Sequence, residues 1–319
     1  MTPSLFITGK IPAEGIDYLR AEGFAVEMNE EDRVLAPEEL SQRCRGKDGL
    51  LCLLTDTLDR GFLKRNTHLK GIANMAVGYN NIDVEAAAEL GIPVTNTPGV
   101  LTEATAELSW ALLLATARRV PEAERYLRAG KFKSWGPLLM TGGGLDQKTL
   151  GIVGAGRIGT AVGLRSKGFG MDVIYTDPVE NPVLEKEVGA ERVEIDTLLE
   201  RADFASLHVL LNEKTRHLIG KRELVMMKET AYLINVSRGP VVDEAALAAA
   251  LQAGEIAGAG LDVFEEEPRV HPALLRQENA VLLPHIGSAT IEARTRMATM
   301  AAANLTAMLK GEKPPNRVN

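Results

Sequence analysis

The sequence has only two cysteines among its 319 residues, and aromatic side chains make up just 4%. Cys44 and Cys52 stand in no metal-binding or redox spacing and are too few for a disulfide framework, so both are expected to be buried thiols in a reducing compartment. Positive charge is not in excess: 36 Lys and Arg face 43 Asp and Glu, and the net charge of −7 leaves no basic surplus for a nucleic-acid backbone. Long hydrophobic runs are missing too. The strongest apolar stretch near the middle, Trp110 to Ala117, has eight residues, and a bilayer span takes about 20. The start runs directly into Leu5-Phe6-Ile7 with no basic flank, so neither a membrane segment nor a secretory leader is expected, and the expected location is the cytoplasm.

What is present is ordinary globular composition, 45% apolar and 25% charged, on a length that suits two domains. Short β-branched runs alternate with helical patterns, the signature of a parallel sheet covered on both faces. Strands are expected near Leu5–Thr8, Ala25–Met28, Gly49–Leu54, Gly71–Met75 and Pro93–Asn96, with helices at Glu14–Ala21 and Val84–Leu90 between them. Thr97-Pro98-Gly99 breaks the pattern. A helix follows over about Thr102–Arg119, with Leu108, Leu112 and Ala115 on one face. Six further strands are expected at Leu150–Val153, Asp172–Tyr175, Ala205–Val209, Ala231–Val236, Gly260–Val263 and Ala280–Leu283, a number that fits a dinucleotide-binding fold. A last helix, about Thr290–Lys310, is expected to return to the first domain.

The strand at Leu150–Val153 runs into Gly154-Ala155-Gly156-Arg157-Ile158-Gly159, a GxGxxG turn. Gly154 permits the tight turn, Gly156 lets backbone approach a pyrophosphate, and Gly159 lets helix pack on strand. The helix start then offers free N–H groups and its positive end to the phosphates. Asp177 ends the next strand, eighteen residues after Gly159, where an acid accepts from the adenosine ribose and repels a 2′-phosphate. Pro178-Val179-Glu180 supplies no cation beside it, so NAD(H) is expected over NADP(H).

Loops after later strands carry groups suited to ketone reduction, which needs an acid, a cation and fixed geometry besides the cofactor. Arg238 offers a planar fork for a carboxylate. His285 is the candidate acid, because a histidine side chain is the type suited to proton transfer at neutral pH, and Glu267 is a candidate partner for it. Each also has a structural reading: a strand-end histidine, a loop-anchoring arginine, a solvated acidic turn.

Together the motifs are recognisable. Ala76-Val77-Gly78-Tyr79-Asn80-Asn81-Ile82-Asp83, Asn96-Thr97-Pro98-Gly99, Gly151 to Gly159, Asn235-Val236-Ser237-Arg238-Gly239-Pro240-Val241-Val242-Asp243, Gly258 to Pro268 and Pro284-His285-Ile286-Gly287-Ser288 follow one another in this order. Over nearly its whole length the sequence resembles the D-isomer-specific 2-hydroxyacid dehydrogenases, most nearly the glyoxylate/hydroxypyruvate reductase group. The resemblance implies an α/β protein of two doubly wound parallel-sheet domains: a flavodoxin-like substrate domain (1–98 and 287–319) and a Rossmann NAD-binding domain (99–286), with hinges at Thr97–Gly99 and Gly287–Ala289 that close a cleft.

The family pattern also maps roles. Arg238, Glu267 and His285 become the catalytic set. The Val77 and Gly78 backbone N–H groups, with Arg238 and Trp135, become substrate-binding. Thr105, Gly154, Gly156, Arg157, Ile158, Gly159, Asp177, Val236, Ser237, Asp262, Gly287 and Ser288 become cofactor-binding, with NAD as cofactor and no metal. Trp135 is expected at the pocket mouth, reaching from a partner subunit of a homodimer built on about Thr102–Trp135. The implied reaction is NADH-dependent reduction of a small 2-keto acid, glyoxylate or hydroxypyruvate. D-lactate, D-3-phosphoglycerate or 2-ketogluconate chemistry is the alternative, set by pocket shape around Leu101, Tyr79 and Trp135, and an NAD-sensing binding protein is the alternative of another class. Leu210 departs from the pattern, standing where these proteins commonly carry Pro. Glu267 argues against the formate dehydrogenases, which usually have Gln there. His208 and His217 lie outside the motifs and are read as structural.

Overall fold

The computed structural model describes residues 2–31 and 33–319. Along the chain, β1 (Ser4–Ile7), α1 (Ala13–Ala21), β2 (Ala25–Met28), α2 (Pro37–Arg43), β3 (Gly49–Cys52), α3 (Arg60–Arg65), β4 (Gly71–Asn74), α4 (Val84–Glu89) and β5 (Val94–Thr95) alternate. Two consecutive helices follow, α5 (Thr102–Ala117) and α6 (Val120–Arg128). The alternation then resumes with β6 (Thr149–Val153), α7 (Arg157–Arg165), β7 (Asp172–Thr176), α8 (Pro182–Val188), β8 (Glu191–Arg192), α9 (Ile195–Arg201), β9 (Phe204–Leu207), α10 (Lys221–Met226), β10 (Tyr232–Asn235), α11 (Glu244–Ala253), β11 (Gly258–Leu261) and β12 (Ala280–Leu282). The final element is α12 (Ile291–Leu309).

The chain forms two compact units, one running to Leu101 and resuming at Ser288–Asn319, the other Thr102–Gly287. The first holds a five-stranded parallel sheet in the order β2-β1-β3-β4-β5. Phe6, Leu50, Leu63, Ile72 and Val94 are fully buried in its core. Helix α12 starts where the Thr290 hydroxyl accepts from the Ala293 N–H, at 3.1 Å, a cap that satisfies one of the free donors of the first turn. It buries Ala298, Ala301, Ala302 and Leu305 against α1, β3 and β4. Beside β5, Thr95 and Arg317 form an antiparallel bridge, Val318 N–H donates to the Val94 carbonyl at 2.9 Å, and the Asn319 side chain bonds Val94 N–H and the Ile92 carbonyl.

The second unit holds a seven-stranded parallel sheet, β12-β11-β10-β9-β6-β7-β8. The order in which successive strands are added to the sheet reverses between the parallel neighbours β6 and β9, so the C-terminal ends of these two strands flank a crevice, the place where ligands bind in open α/β sheets. The sequence suggests six strands here. The seventh, β8, is only Glu191 and Arg192, both exposed, and carries no apolar signal; it is defined by pairing with Ile174 and Tyr175 of β7. The single helix expected to Arg119 is interrupted. Arg119 takes a left-handed conformation (φ 55°), after which Pro121 sits in the first turn of α6. α5 is buried on most of its circumference rather than on one stripe, with Thr105, Ser109, Trp110, Leu112 and Thr116 all inside. Trp110 stacks on Phe169 at 4.5 Å and donates from Nε1 to the Val162 carbonyl at 3.0 Å. No helix of the described residues is long and apolar enough to cross a membrane.

Candidate active site

The two units each bring candidate residues to the C-terminal edge of a sheet. In the second unit, Gly154 follows β6 with φ 94°, a conformation that favours glycine, and its missing Cβ leaves room for the His208 and Val209 backbone. A Cβ on Gly159 would lie 2.1 Å from the Gly154 carbonyl oxygen, so strand and helix close together only with glycine. A Cβ on Gly156 would meet nothing within 4 Å. Its backbone is open to an incoming group at the point where Arg157 and Ile158 begin α7, whose first-turn N–H groups have no side-chain cap. This cradle fits the pyrophosphate of a dinucleotide.

Asp177 stands at the end of β7 and is half-buried. Its carboxylate accepts from the Ala155 N–H at 2.9 Å and the Val179 N–H at 2.9 Å, tying the acid to the glycine turn. Asn181 supports the same turn, donating to the Ala155 carbonyl at 2.8 Å and the Thr160 hydroxyl at 2.7 Å. Arg192 of β8 is exposed and donates to the Asp177 and Pro178 carbonyls at 3.0 and 2.9 Å. The stretch after Asp177 suggests that no cation stands there; the paired strand supplies one. Neither Asn181 nor Arg192 is visible in the fingerprint, because both arrive through tertiary contact.

The residues proposed for chemistry follow β10, β11 and β12. Asn235 closes β10 and shapes the next loop: its Oδ1 accepts from Ser237 N–H (3.0 Å) and Oγ (2.7 Å), and its Nδ2 donates to the Arg238 carbonyl (3.0 Å). This residue lies in a quoted motif, but sequence reasoning gave it no role. Arg238 Nη1 donates to the Ser237 carbonyl at 2.7 Å. Burial draws the Arg238 pKa down, and the Glu267 carboxylate opposes that shift.

Glu267 Oε1 accepts from the Phe264 N–H at 3.0 Å, and Oε2 lies 2.8 Å from His285 Nδ1. Burial pushes the Glu267 carboxyl up, but the His285 contact, the Phe264 N–H and Arg238 outweigh it, holding the carboxyl below its ordinary value. His285 itself has a left-handed backbone (φ 54°). Asp262, 1% exposed, fixes that backbone: its carbonyl accepts from His285 N–H at 2.9 Å, and its carboxylate accepts from Ile286 N–H at 2.8 Å and Gly287 N–H at 2.7 Å. Burial raises the Asp262 pKa against these two donors and His285, with Glu267 pushing the same way as burial.

Thr105 on α5 is 4% exposed and belongs to this cluster. A Cβ on Gly287 would stand 3.2 Å from Asp262 Oδ2 and 3.5 Å from Thr105 Cγ2. Val236 and Ser237 are buried beside Asn235, and Ser288 opens the segment leading into α12. Trp135 lies beyond α6 and is 81% exposed, in a stretch that also exposes Leu127, Phe132 and Leu138.

The other histidines have structural partners. His208 Nε2 pairs with the Ser206 hydroxyl at 2.9 Å, and burial pushes its pKa down to about 3. His217 pairs with Glu265 at 2.9 Å. Both cysteines are buried with raised pKa values. Among the described residues no cluster of His, Cys, Asp and Glu is arranged to hold a metal.

In the first unit, the loop after β4 carries Val77 and Gly78, both half-buried. Asn96 Nδ2 donates to the Val77 carbonyl at 2.8 Å, and Asn74 Nδ2 to the Gly78 carbonyl at 3.0 Å.

Residues 110–287 match the family model for the D-isomer specific 2-hydroxyacid dehydrogenase, NAD binding domain. The chain is 52% identical to a glyoxylate reductase of Thermococcus litoralis over 323 residues, covering 100% of this chain and 97% of that one. Among solved structures it is similar to a protein of Thermus thermophilus (TM-score 0.93, 44% identity, covering 99% and 100% of the two chains). It is also similar to an NADPH-dependent glyoxylate/hydroxypyruvate reductase of Sinorhizobium meliloti in complex with NADP and malonate (TM-score 0.87, 34% identity, covering 100% and 97%). The chain belongs to the D-isomer specific 2-hydroxyacid dehydrogenase family, and its second unit is that family's NAD-binding domain. It is therefore an oxidoreductase built on two parallel-sheet α/β domains.

Proposed function

We propose that the protein reduces glyoxylate or hydroxypyruvate to the 2-hydroxy acid with NADH. The observation that carries this reading is the Glu267–His285 pair, 2.8 Å apart, presented at the same sheet edge as Arg238 and the glycine turn. The relatives named as glyoxylate reductases support the choice of acid.

The bound nicotinamide supplies a hydride to the keto carbon. The chain supplies the proton and the grip. Glu267 occupies Nδ1 of His285, which leaves Nε2 as the atom that gives a proton to the carbonyl oxygen. The ionised Glu267 stabilises the imidazolium before transfer and fixes the ring. Arg238 holds carboxylate and carbonyl in its fork and draws charge towards the oxygen. The Val77 and Gly78 N–H groups take the carboxylate as their share of the site. In the reverse direction neutral His285 accepts the alcohol proton.

Gly154, Gly156, Gly159 and the start of α7 hold the pyrophosphate, with Asp177 on the adenosine ribose favouring NAD(H). Thr105, Val236, Ser237, Asp262, Gly287 and Ser288 face the nicotinamide half. The exposed apolar stretch from Leu127 to Leu138, with Trp135, supports a homodimer. No feature of composition favours the sensor reading over the enzyme.

NADH oxidation with glyoxylate, hydroxypyruvate, pyruvate and 2-ketogluconate tests the proposal, with His285→Ala as control. Turnover of glyoxylate lost in the variant supports it. Binding of NADH without turnover of any acid refutes it.

A further inference from the structure

Three consecutive carbonyls in the loop after β4 are tied to the body of the first unit. The Ala76 carbonyl accepts from Thr97 N–H at 2.8 Å, the Val77 carbonyl from Asn96 Nδ2 at 2.8 Å, and the Gly78 carbonyl from Asn74 Nδ2 at 3.0 Å. A peptide group is planar and trans, so each C=O points opposite to the N–H of the next residue. Anchoring these three carbonyls therefore turns the N–H groups of Val77, Gly78 and Tyr79 away from the body. Among the described residues none of the three donates to an acceptor in the chain. Successive outward N–H groups make an anion-binding nest.

The anchoring side chains are held in turn. Asn74 is fully buried and also donates to Asn81 Oδ1 at 3.2 Å, while Asn81 donates to the Leu53 and Asp56 carbonyls. The Asn96 carbonyl accepts from Nδ2 of Asn304, a residue of α12 only 1% exposed, at 3.0 Å. Asn304 Oδ1 accepts from Asn316 Nδ2 at 3.1 Å, and Asn96 N–H donates to the Asn316 carbonyl at 3.2 Å. A relay of amides thus runs from Asn316, through Asn304 and Asn96, to the Val77 carbonyl. Asn304 uses its side-chain amide as both donor and acceptor, while Asn96 and Asn316 donate from Nδ2 and accept at their backbone carbonyls.

We propose that Asn96, Asn304 and Asn316 are positioning residues for the substrate carboxylate: the relay fixes the Val77–Gly78 peptide plane, and with it the Gly78 N–H, beside the Gly78–Tyr79 plane that Asn74 holds, and makes carboxylate affinity depend on the segment that follows α12. A buried amide network that served only stability would act on the melting temperature and leave the grip on the carboxylate unchanged. A relay that orients the nest acts on the Michaelis constant for the acid. The cofactor binds through the other unit's glycine turn, so its Michaelis constant is the internal reference.

The inference rests on the reading that Val77 and Gly78 hold the carboxylate, and three variants separate the two. Asn96→Asp keeps the size but replaces the donor to Val77 with a second oxygen. It is expected to raise KM for glyoxylate roughly ten-fold, with kcat and KM for NADH within about two-fold of wild type. Asn316→Ala, at the half-buried outer end, is expected to give the same pattern at about two- to three-fold; it decides the matter if Asn96→Asp does not fold. Gly78→Pro deletes one N–H outright. If Gly78→Pro leaves KM for glyoxylate at the wild-type value, the carboxylate reading fails and the relay falls with it. If Gly78→Pro raises KM while the two Asn variants do not, the relay alone is overturned. Parallel losses in kcat, both KM values and Tm in the Asn variants would assign the network to stability and also overturn it.

Discussion

Replacing Gly239 with Ala should damage the enzyme more than its single methyl suggests. An added Cβ would lie 1.8 Å from the Phe264 carbonyl carbon, 1.9 Å from its oxygen and 2.4 Å from Glu265 N. These are backbone atoms, so no side chain can swing aside. To reach ordinary contact the loops carrying Arg238 and Phe264 must part by roughly 1.5 Å, and close-packed interiors resist this. Parting them strains the Glu265 N–H bond to the Glu244 carboxylate, which joins the two segments. Overpacking costs about 1–3 kcal/mol, and one weakened charge-assisted bond brings the total to about 3 kcal/mol. For a unit of this size that lowers Tm by about 6–12 °C. A misplacement of about 1 Å between Arg238 and Glu267 costs about 100-fold in kcat/KM. Calorimetry and steady-state kinetics measure the two effects. Gly156→Ala is the contrast, because its Cβ meets nothing within 4 Å: Tm should hold while KM for NADH rises. A Gly239→Ala enzyme that melts with wild type and keeps kcat/KM within a few-fold would refute the reasoning.

His285→Asn should lower kcat for reduction by roughly 10²–10⁴-fold while the NADH dissociation constant, read by fluorescence, stays within about two-fold; unchanged kcat would remove His285 from the chemistry. Glu267 is held below its ordinary value, so its contribution to stability is complete above the unfolded value of about 4.3 and is lost as pH falls through the lower folded value. Urea midpoints of wild type should therefore fall more steeply with acidification below about pH 5 than those of Glu267→Gln, and parallel curves would refute the pairing. Asp177→Asn should raise the NADPH-to-NADH ratio of kcat/KM at least about ten-fold, because the repulsive charge is gone and Arg192 remains. Adding Arg192→Ala should reverse much of that gain; an unaffected ratio would mean that neither group reads the 2′-position.

Most of the fold was legible because buried parallel strands are short β-branched runs, as in Leu5-Phe6-Ile7 and Leu233-Ile234. β8 was not, since a two-residue exposed edge strand exists only through its neighbour. The break at Arg119 was hidden as well: a left-handed arginine has no compositional mark, and Pro121 reads equally as a helix start or a loop. At the site, Arg238, Glu267 and His285 stood out as candidates because each sits beside a glycine or proline turn after a strand, and their roles came from the family resemblance. Glu267 was also a candidate partner for His285, but the 2.8 Å distance between loops eighteen residues apart, and the Phe264 and Asp262 bonds that hold the two groups, had no mark in the sequence. Arg192 and the asparagine relay lay further out of reach, as polar groups whose partners are backbone carbonyls from remote segments leave no pattern in the sequence.

The segment Arg317–Asn319 along β5 has a consequence for how the molecule behaves in a crowd. An edge strand displays unpaired N–H and C=O groups, a template on which another chain can extend the sheet. Here Val94 N–H and the Ile92 carbonyl are taken by the Asn319 side chain, and the Val94 carbonyl by Val318. At the opposite edge, β2 presents Glu27, paired with Lys47 and Arg43, and charge there discourages stacking of strands. One margin of the first sheet is sealed by the chain itself and the other is guarded by charge, so the first unit is protected at both margins against edge-to-edge aggregation.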